Sequence, residues 1–369
     1  MKKLLLFLIF VSIVAGCRDK LDNPVGIGEI SKDIPKPVFI GDIVGDSVSN
    51  YHTNMNTGNA KRLWIGKTDS LEARVLVRFA IVDTSIINYA DSAMVTFSLE
   101  GTYKKGVSIA IYPLSNIWDE TTVGWNRSST DTQWTTPGGD YEPTKIAEIV
   151  INESEKSFTF SCEDFSLLDT SRIINRGMIF IYELGDTLLS IYSRESSTDR
   201  IRITVFHGDS TTDFFPVSDA FILNSTYIKE DNEIVMVEGF VNRSLIYFDI
   251  DSIPYNVTIN RAFLTFGIKP DKSYLDSVTV FIHRITGDWE EGQTEYSVAA
   301  SAEFKVAKED TLKEIDVTSL VQYWLNEREN KGILLRSKNE NSYCTRLVFD
   351  ADQLPVLSIY YTPPPAGSN

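Results

Sequence analysis

Cysteine and histidine are scarce in this chain of 369 residues, which contains only three of each. Structural zinc sites use four cysteine or histidine ligands at short spacings, and three widely separated histidines do not supply that pattern. Apart from Cys17, the cysteines are Cys162 and Cys344, which lie in different halves of the chain at positions that do not correspond. The sequence therefore predicts neither a zinc site nor a disulfide framework.

Basic charge and long apolar runs are lacking as well. Lysine and arginine total 35 against 51 aspartates and glutamates, which leaves a net charge of −16. A protein this acidic has no basic footprint for nucleic acid, so we expect no nucleic-acid partner. Beyond residue 16, no apolar run approaches the roughly eighteen residues that a membrane-spanning helix needs.

The N-terminus has the pattern of an export signal. Lys2 and Lys3 precede an apolar stretch, residues 4–14, that is too short to span a bilayer. Two small residues then precede Cys17, an ending that resembles a bacterial lipobox. The alternatives are an ordinary signal peptide and a short membrane anchor. We predict a signal peptide over 1–16, lipid attachment at Cys17, and a lipid-anchored protein of the bacterial cell envelope, in the outer membrane.

The remainder of the chain contains an internal repeat. Residues 17–39 are polar and rich in proline and glycine, which predicts a flexible tether. Beyond them, alternating strand patterns recur at an offset near 170 residues, as in 77–81 and 246–250. We predict an all-β chain of two tandem antiparallel β-sandwich domains of jelly-roll type, over 40–209 and 210–362, with a disordered tail over 363–369.

Each predicted domain has one short helix near its C-terminal end. In the second copy, apolar residues recur at helical spacing: Val317, Leu320, Val321 and Trp324. Asp316 or Thr318 is the expected cap at the start, and Gly332 lies beyond the end. The corresponding stretch of the first copy, 165–174, is a weaker version of the same pattern. We expect Trp324 to lie in the core.

Several short motifs, taken in order, resemble the DNRLRE-type domain, also described as carbohydrate-binding module family 96. In the first copy they are Asn56-Thr57-Gly58, 63–66, 75–79, Trp118-Asp119-Glu120-Thr121, Val123-Gly124-Trp125-Asn126, 134–141 and Ser193-Arg194-Glu195-Ser196; in the second copy they are 316–326 and 330–335. The second copy departs from the pattern at 296–297, where the Trp-Asn element is missing, and at 349–351, where Arg-Glu is missing. The resemblance implies polysaccharide-binding sandwiches, with the better site in the first copy.

Sugar-binding proteins stack aromatic rings on sugar C–H groups and hydrogen-bond the hydroxyls with polar side chains. Both kinds of group occur in two loops of the first copy, the second of which also contains Asn54, Asn56 and Asn59. The candidate residues are Trp125, Asn126, Arg127, Trp134, Tyr51, His52 and Trp64. Packing is an equal alternative for Trp125 and Trp134. Trp64 alternates with buried-type neighbours, so it is either an exposed platform or an interface residue. Trp118 is expected to plug the end of its sandwich.

Catalysis is the less favoured class of function. Adjacent acids such as Asp119 and Glu120 point to opposite faces of a strand, so neither they nor the pair at 290–291 forms a glycosidase dyad. A lyase would have to rely on Tyr51 and His52 with Arg62. We therefore predict no enzyme and no cofactor; a structural Ca²⁺ remains open, but no loop has the spacing of a defined calcium site. The alternative to polysaccharide binding is a structural or adhesion protein that uses the domains as spacers.

Overall fold

The computed structural model describes residues 35–45, 47–53, 55–81, 84–101, 106–152, 155–163, 176–239, 241–290, 292–352 and 355–364. Within these ranges the chain is mostly β, and every pair of strands is antiparallel. The all-β, antiparallel prediction is thus confirmed. The predicted signal peptide, Cys17, most of the tether, the helix over 165–174 and the tail beyond residue 364 lie outside the described residues. No helix of the described ranges is long and apolar enough to cross a membrane.

The elements of the first half are β1 (Val38–Val44), β2 (Ser47–Thr53), β3 (Arg62–Lys67), β4 (Leu71–Phe79), α1 (Thr84–Asn88), β5 (Ser92–Ser98), β6 (Val107–Pro113), β7 (Ala147–Ile151), β8 (Ser157–Ser161), β9 (Met178–Leu184), β10 (Thr187–Tyr192) and β11 (Arg202–His207). Those of the second half are β12 (Ser210–Phe214), β13 (Pro216–Ser225), β14 (Glu233–Val237), β15 (Val241–Tyr247), β16 (Thr258–Ile268), β17 (Ser277–Arg284), β18 (Ala302–Ala307), β19 (Leu312–Asp316), α2 (Thr318–Glu327), β20 (Ile333–Ser337), β21 (Arg346–Asp350) and β22 (Val356–Thr362).

The described strands form three sheets. The largest runs β1-β22-β16-β21-β14-β15-β20-β17-β18, with β19 beside β16 and β2 beside β15. The second runs β10-β3-β4-β9-β6-β7, with β13 beside β4, and the third runs β12-β11-β5-β8. The second and third sheets share one apolar core, in which Phe97 of β5 meets Phe180 of β9 at 5.6 Å between ring centroids.

Strand pairing does not follow the predicted boundary at residues 209 and 210. β13 lies beyond that boundary, yet it pairs with β4 of the first half along its whole length. Conversely, β1 pairs with β22 and β2 pairs with β15, both in the second half. The predicted tether also extends too far, because β1 begins at Val38. The two halves therefore exchange strands.

The repeat is visible in backbone detail. Gly177 precedes β9 with φ +81°, and Gly332 precedes β20 with φ +90°. A Cβ atom on Gly177 would collide with the carbonyl oxygen of Val77, and one on Gly332 would collide with that of Ile246. Val77 and Ile246 are themselves matched by the repeat. Glycine is required at both sites because the backbones approach closely at a positive φ.

Helix α2 forms where the apolar spacing predicts it. Leu320, Val321 and Trp324 are buried in the core of the second half. Neither predicted residue is the cap: the N-cap position is Val317, with no side-chain cap hydrogen bond, and Asp316 accepts a hydrogen bond from the backbone N–H of Thr318 at 2.9 Å. The helix ends at Glu327, after which Arg328 adopts the left-handed conformation at φ 55°, and Gly332 lies beyond that end as predicted.

Candidate functional site

The long loop of the first half, residues 114–141, packs on the outer face of the second sheet. Leu76, Ile179 and Ile222 point to that face and are fully covered, together with Trp118 of the loop. The indole Nε1–H of Trp118, which is 2 % exposed, donates to the carbonyl oxygen of Arg176 at 3.0 Å. Trp118 is thus a packing residue, but it covers the outer face of the second sheet rather than the end of a sandwich, and the loop has an apolar base.

Local hydrogen bonds hold the part of this loop around residues 124–140 in one conformation. The carboxylate of Asp140 accepts the backbone N–H groups of Thr135 and Thr136 at 2.8 and 2.7 Å. Burial opposes ionisation, but these bonds outweigh it and lower the pKa of Asp140. The indole of Trp134 donates to the carbonyl of Gly124 at 2.9 Å and is only 5 % exposed. Of the two alternatives for Trp134, packing is therefore the one that its burial favours.

Trp125, Asn126 and Arg127 line one pocket of about 310 Å³. Trp125 is half-buried, and the guanidinium of Arg74 lies 4.8 Å from its ring centroid, so one partner of the ring is already in place. Asn126 is exposed, and Arg127 donates its Nε–H to the carbonyl of Thr122 at 3.1 Å, which orients the guanidinium. The structure therefore brings together three of the predicted residues.

The other wall of this pocket comes from elsewhere in the chain. Met55 and Thr57 precede β3, Phe221 and Leu223 lie on β13, and Gly239 follows β14. The hydroxyl of Thr57 donates to the carbonyl of Phe221 at 2.5 Å, which joins two of these segments. The pocket thus lies where the first half meets the exchanged strand and the second half, a position that the repeat alone does not indicate.

A second cleft has a volume of about 520 Å³ and includes Asn59, which is two residues from Thr57 of the first pocket. It is polar, with two tyrosines: its lining is Asn59, Lys61, Arg62, Tyr192, Ser196, Ser197, Thr198, Asn339, Ser342 and Tyr343. Arg62 donates to the hydroxyl of Tyr343 at 2.8 Å and forms an ion pair with Glu100. Because Arg62 belongs to the first half and Tyr343 to the second, this cleft also lies between the halves.

Trp64 lies at the contact between the halves. Its indole Nε1–H donates to the carbonyl of Ser342 at 3.0 Å, and its ring centroid is 6.3 Å from that of Tyr343. It lines a cavity of about 790 Å³ that continues from the second cleft through Arg62. Of the two alternatives for Trp64, the interface position is the one observed.

Tyr51 and His52 lie in a strand, although the sequence placed them in a loop. Both belong to β2, in which Tyr51 is paired with Arg243 and His52 with Asn242 of β15. The side chains of Tyr51 and His52, and Asn54 as a whole, lie outside what the structure describes. The backbone places these two residues on the largest sheet, whereas Trp125 lies over the second sheet.

Three carboxylates from distant segments of the chain converge. They belong to Glu120, Glu195 and Asp219, and one oxygen of each lies within 4.8 Å of the others. Arg194 pairs with Glu120 at 2.9 Å and with Glu195 at 2.7 Å. The backbone N–H of Arg194 donates to Asp219 Oδ2 at 2.8 Å, and that of Asp219 donates to Glu120 Oε1 at 2.9 Å. Burial raises the pKa of Asp219 to about 8 and also raises that of Glu120.

Two of these acids belong to motifs that the sequence singled out, but Asp219 was missed. It stands in β13, whose pattern resembles an ordinary buried strand, and no local signal distinguishes it. Asp119 and Glu120 lie in the long loop and not in a strand, contrary to the expectation; Asp119 accepts hydrogen bonds from Thr121, and Glu120 pairs with Arg194.

An aromatic surface at the far edge of the largest sheet was also missed. Phe39 is 55 % exposed and its ring centroid lies 4.5 Å from that of Tyr360. Together with Phe263 and Arg261 they line a shallow cleft of about 570 Å³. The sequence assigned Phe39 to the tether, although the run at 38–44 is apolar enough to form a strand.

The comparisons with known proteins leave the family open. No protein-family model matches the chain. No curated protein matches it either. One solved structure, of a "putative secreted protein" from Parabacteroides distasonis ATCC 8503, aligns over 90 % of this chain and 93 % of its own, at 10 % identity and a TM-score of 0.18. At that score the alignment carries no argument about fold or function.

Proposed function

We propose that the protein is a lipid-anchored lipoprotein of the bacterial cell envelope that binds polysaccharide through non-catalytic β-sandwich modules of the DNRLRE type. The observation that carries this proposal is the pocket of about 310 Å³ in which Trp125, Asn126 and Arg127 converge. An aromatic ring beside amide and guanidinium donors is the combination that sugars require. The motif resemblance and the lipobox-like N-terminus supply the polysaccharide class and the anchor at Cys17.

The two-domain jelly-roll arrangement belongs to the same proposal. Its support is the matched close contacts of Gly177 and Gly332 in the two halves and the shared core of the second and third sheets. Rigid loops on such a frame suit carbohydrate, because a site whose loops are already ordered loses less conformational entropy on binding. The hydrogen bonds of Asp140 and Trp134 order the loop in this way.

The test is retention of the full-length chain, in detergent, on affinity gels containing neutral and anionic polysaccharides. We expect retardation on at least one polymer, and we expect Trp125→Ala to abolish it. The matched control is Trp289→Ala, the loss of a half-buried tryptophan in the second half, which should leave retention unchanged if the chain remains folded. Retention that is insensitive to Trp125→Ala would contradict this placement of the site.

A second candidate, a spacer or adhesion protein, is favoured by the strand exchange between the halves. β1, β2 and β13 tie the halves together, and such pairing produces a stiff unit. A stiff unit suits a structural role as well as a binding role. An absence of retention on every polymer, by a chain that remains folded, would favour this candidate.

A further inference from the structure

We propose that Glu120, Glu195 and Asp219 form a binding site for a divalent cation of the Ca²⁺ type. Oxygen atoms from three carboxylates within 4.8 Å of one another match the ligand chemistry of hard cations. The three residues come from the long loop, from the segment after β10, and from β13, so a cation here would tie together segments that are distant in sequence. The site is separate from the sugar pocket and does not depend on the proposed function.

Buried oxygen atoms without donors provide the second observation. Asp219 is 0 % exposed, and its Oδ1 has no hydrogen-bond partner among the described residues. Oε2 of Glu195 is also buried and also has no hydrogen-bond partner among the described residues. A buried carboxylate oxygen without a donor is costly, and native structures rarely leave one unexplained. Both oxygens belong to carboxylates of the cluster, and a cation bound there would provide the missing partner.

The local charge balance points the same way. The guanidinium of Arg194 pairs with two of the three carboxylates, those of Glu120 and Glu195. When ionised, the three carboxylates and this guanidinium leave an excess of two negative charges. One divalent cation neutralises that excess.

The site has a structural role that follows from its position. Gly58 packs against Glu120, and its neighbours Thr57 and Asn59 line the first and the second cleft respectively. Glu195 directly precedes Ser196, which lines the second cleft. A cation held by Glu120 and Glu195 would therefore brace the walls of both clefts.

The experiment is equilibrium dialysis of the chelator-treated, full-length protein against CaCl₂ or MgCl₂ up to about 1 mM at constant ionic strength, with bound metal measured by mass spectrometry. We expect a single Ca²⁺ per chain and a rise in Tm on adding it. Glu195→Gln, on a half-buried side chain, should weaken binding at least about tenfold, and Asp219→Asn should do the same. Asp271→Asn, at an exposed acid in the second half, should leave it unchanged.

Two results would overturn the proposal. If the wild-type chain binds neither Ca²⁺ nor Mg²⁺, the cluster holds only a shared proton. If Glu195→Gln and Asp271→Asn bind Ca²⁺ as the wild-type chain does, the metal lies elsewhere. Folding of each variant is checked by its unfolding transition, and Glu195→Gln decides the matter if Asp219→Asn does not fold.

Discussion

Trp118 and Trp289 mark the same point in the two halves, yet the chain continues differently after each. Trp118 donates its indole N–H to the carbonyl of Arg176 at 3.0 Å, and Trp289 donates to the carbonyl of Lys331 at 2.8 Å. Beyond Trp118, a long loop with two more tryptophans intervenes before Tyr141 pairs with Leu114. Beyond Trp289, the connection is short, and Tyr296 already pairs with Ile285.

This difference distinguishes the strand framework (the frame), which both halves share, from the candidate binding site, which is built by the loop of the first half. Backbone contacts that require glycine, at Gly177 and Gly332, are present in both halves and hold the strands in the same geometry. The loop that follows Trp118 has positive-φ glycines of its own, Gly138 and Gly139, at φ +95° and +103°, and loops on a rigid scaffold are where binding groups accumulate. Only the first half uses its loop to build a pocket with Trp125.

The largest expected effect comes from removing the two equivalent tryptophans. Trp118→Ala empties a fully buried site and should lower the free energy of unfolding by about 4 kcal/mol. Trp289 is half-buried, so Trp289→Ala should cost about half as much. Urea denaturation measures both. Equal losses would mean that the two ends are packed alike, contrary to the comparison.

A somewhat smaller effect should follow from adding one methyl group to either frame glycine. Gly177→Ala and Gly332→Ala force a positive φ on alanine and push its Cβ into a carbonyl oxygen, so each should destabilise the chain by about 2 kcal/mol. Gly124→Ala is the control, because a Cβ added there would have no atom within 4 Å and the φ of Gly124 is not positive. If only one of the two substitutions destabilised the chain, the two glycines would not have equivalent structural roles.

The pH dependence of stability should differ in sign between two buried acids, Glu233 of β14 and Asp219 of β13, the strand that pairs with the first half. Burial alone would raise the pKa of Glu233, but hydrogen bonds from Lys272, Tyr227 and a backbone N–H lower it from 4.5 to about 2. Its stabilising effect is therefore present above pH 4.5 and is lost as the pH falls through 2. The pKa of Asp219 is raised from 3.8 to about 8. Its effect is present below pH 3.8 and is lost as the pH rises through 8.

Two variants measure this contrast in the presence of a chelator. Glu233→Gln should lower stability at pH 7 by about 2 kcal/mol and should flatten the loss in acid. Asp219→Asn should flatten the decline between pH 4 and 8. Chemical denaturation at a series of pH values gives both profiles. Parallel profiles for the two variants would contradict the opposite pKa shifts.

The smallest effect on stability is expected at the exposed rim of the pocket. Asn126→Ala and Gln133→Ala should each change the free energy of unfolding by less than about 0.5 kcal/mol, because both side chains are exposed. Asn126→Ala should nevertheless weaken retention on polysaccharide gels. A large loss of stability from either change would mean that this side chain supports the fold and is not simply part of an exposed binding surface.

Much of the fold could be predicted because its signals are local. Alternation with period two predicted the strands, as in β5, where exposed and buried residues alternate. Spacing at 3.6 residues predicted α2. The same alternation put Trp64 on the opposite face from Leu63 and Ile65, although it did not say what Trp64 would meet.

The candidate site was only partly predictable. Trp125, Asn126 and Arg127 are neighbours in sequence, so their grouping was expected. Met55 and Phe221 reach the pocket, and Asp219 reaches the carboxylate cluster, from distant segments of the chain. The residues next to them in sequence do not indicate these positions.

By itself, the sequence determined the strand content, the repeat, helix α2 and the loop that follows Trp118, because each depends on residues close together in the chain. Only the tertiary structure decided that β13 joins the first half, that β1 and β2 join the second, and that Glu120, Glu195 and Asp219 meet. The physical reason is that alternation makes a strand but does not choose its partner. That choice depends on which sheet edges are free and which faces must be covered, and these are properties of the whole fold.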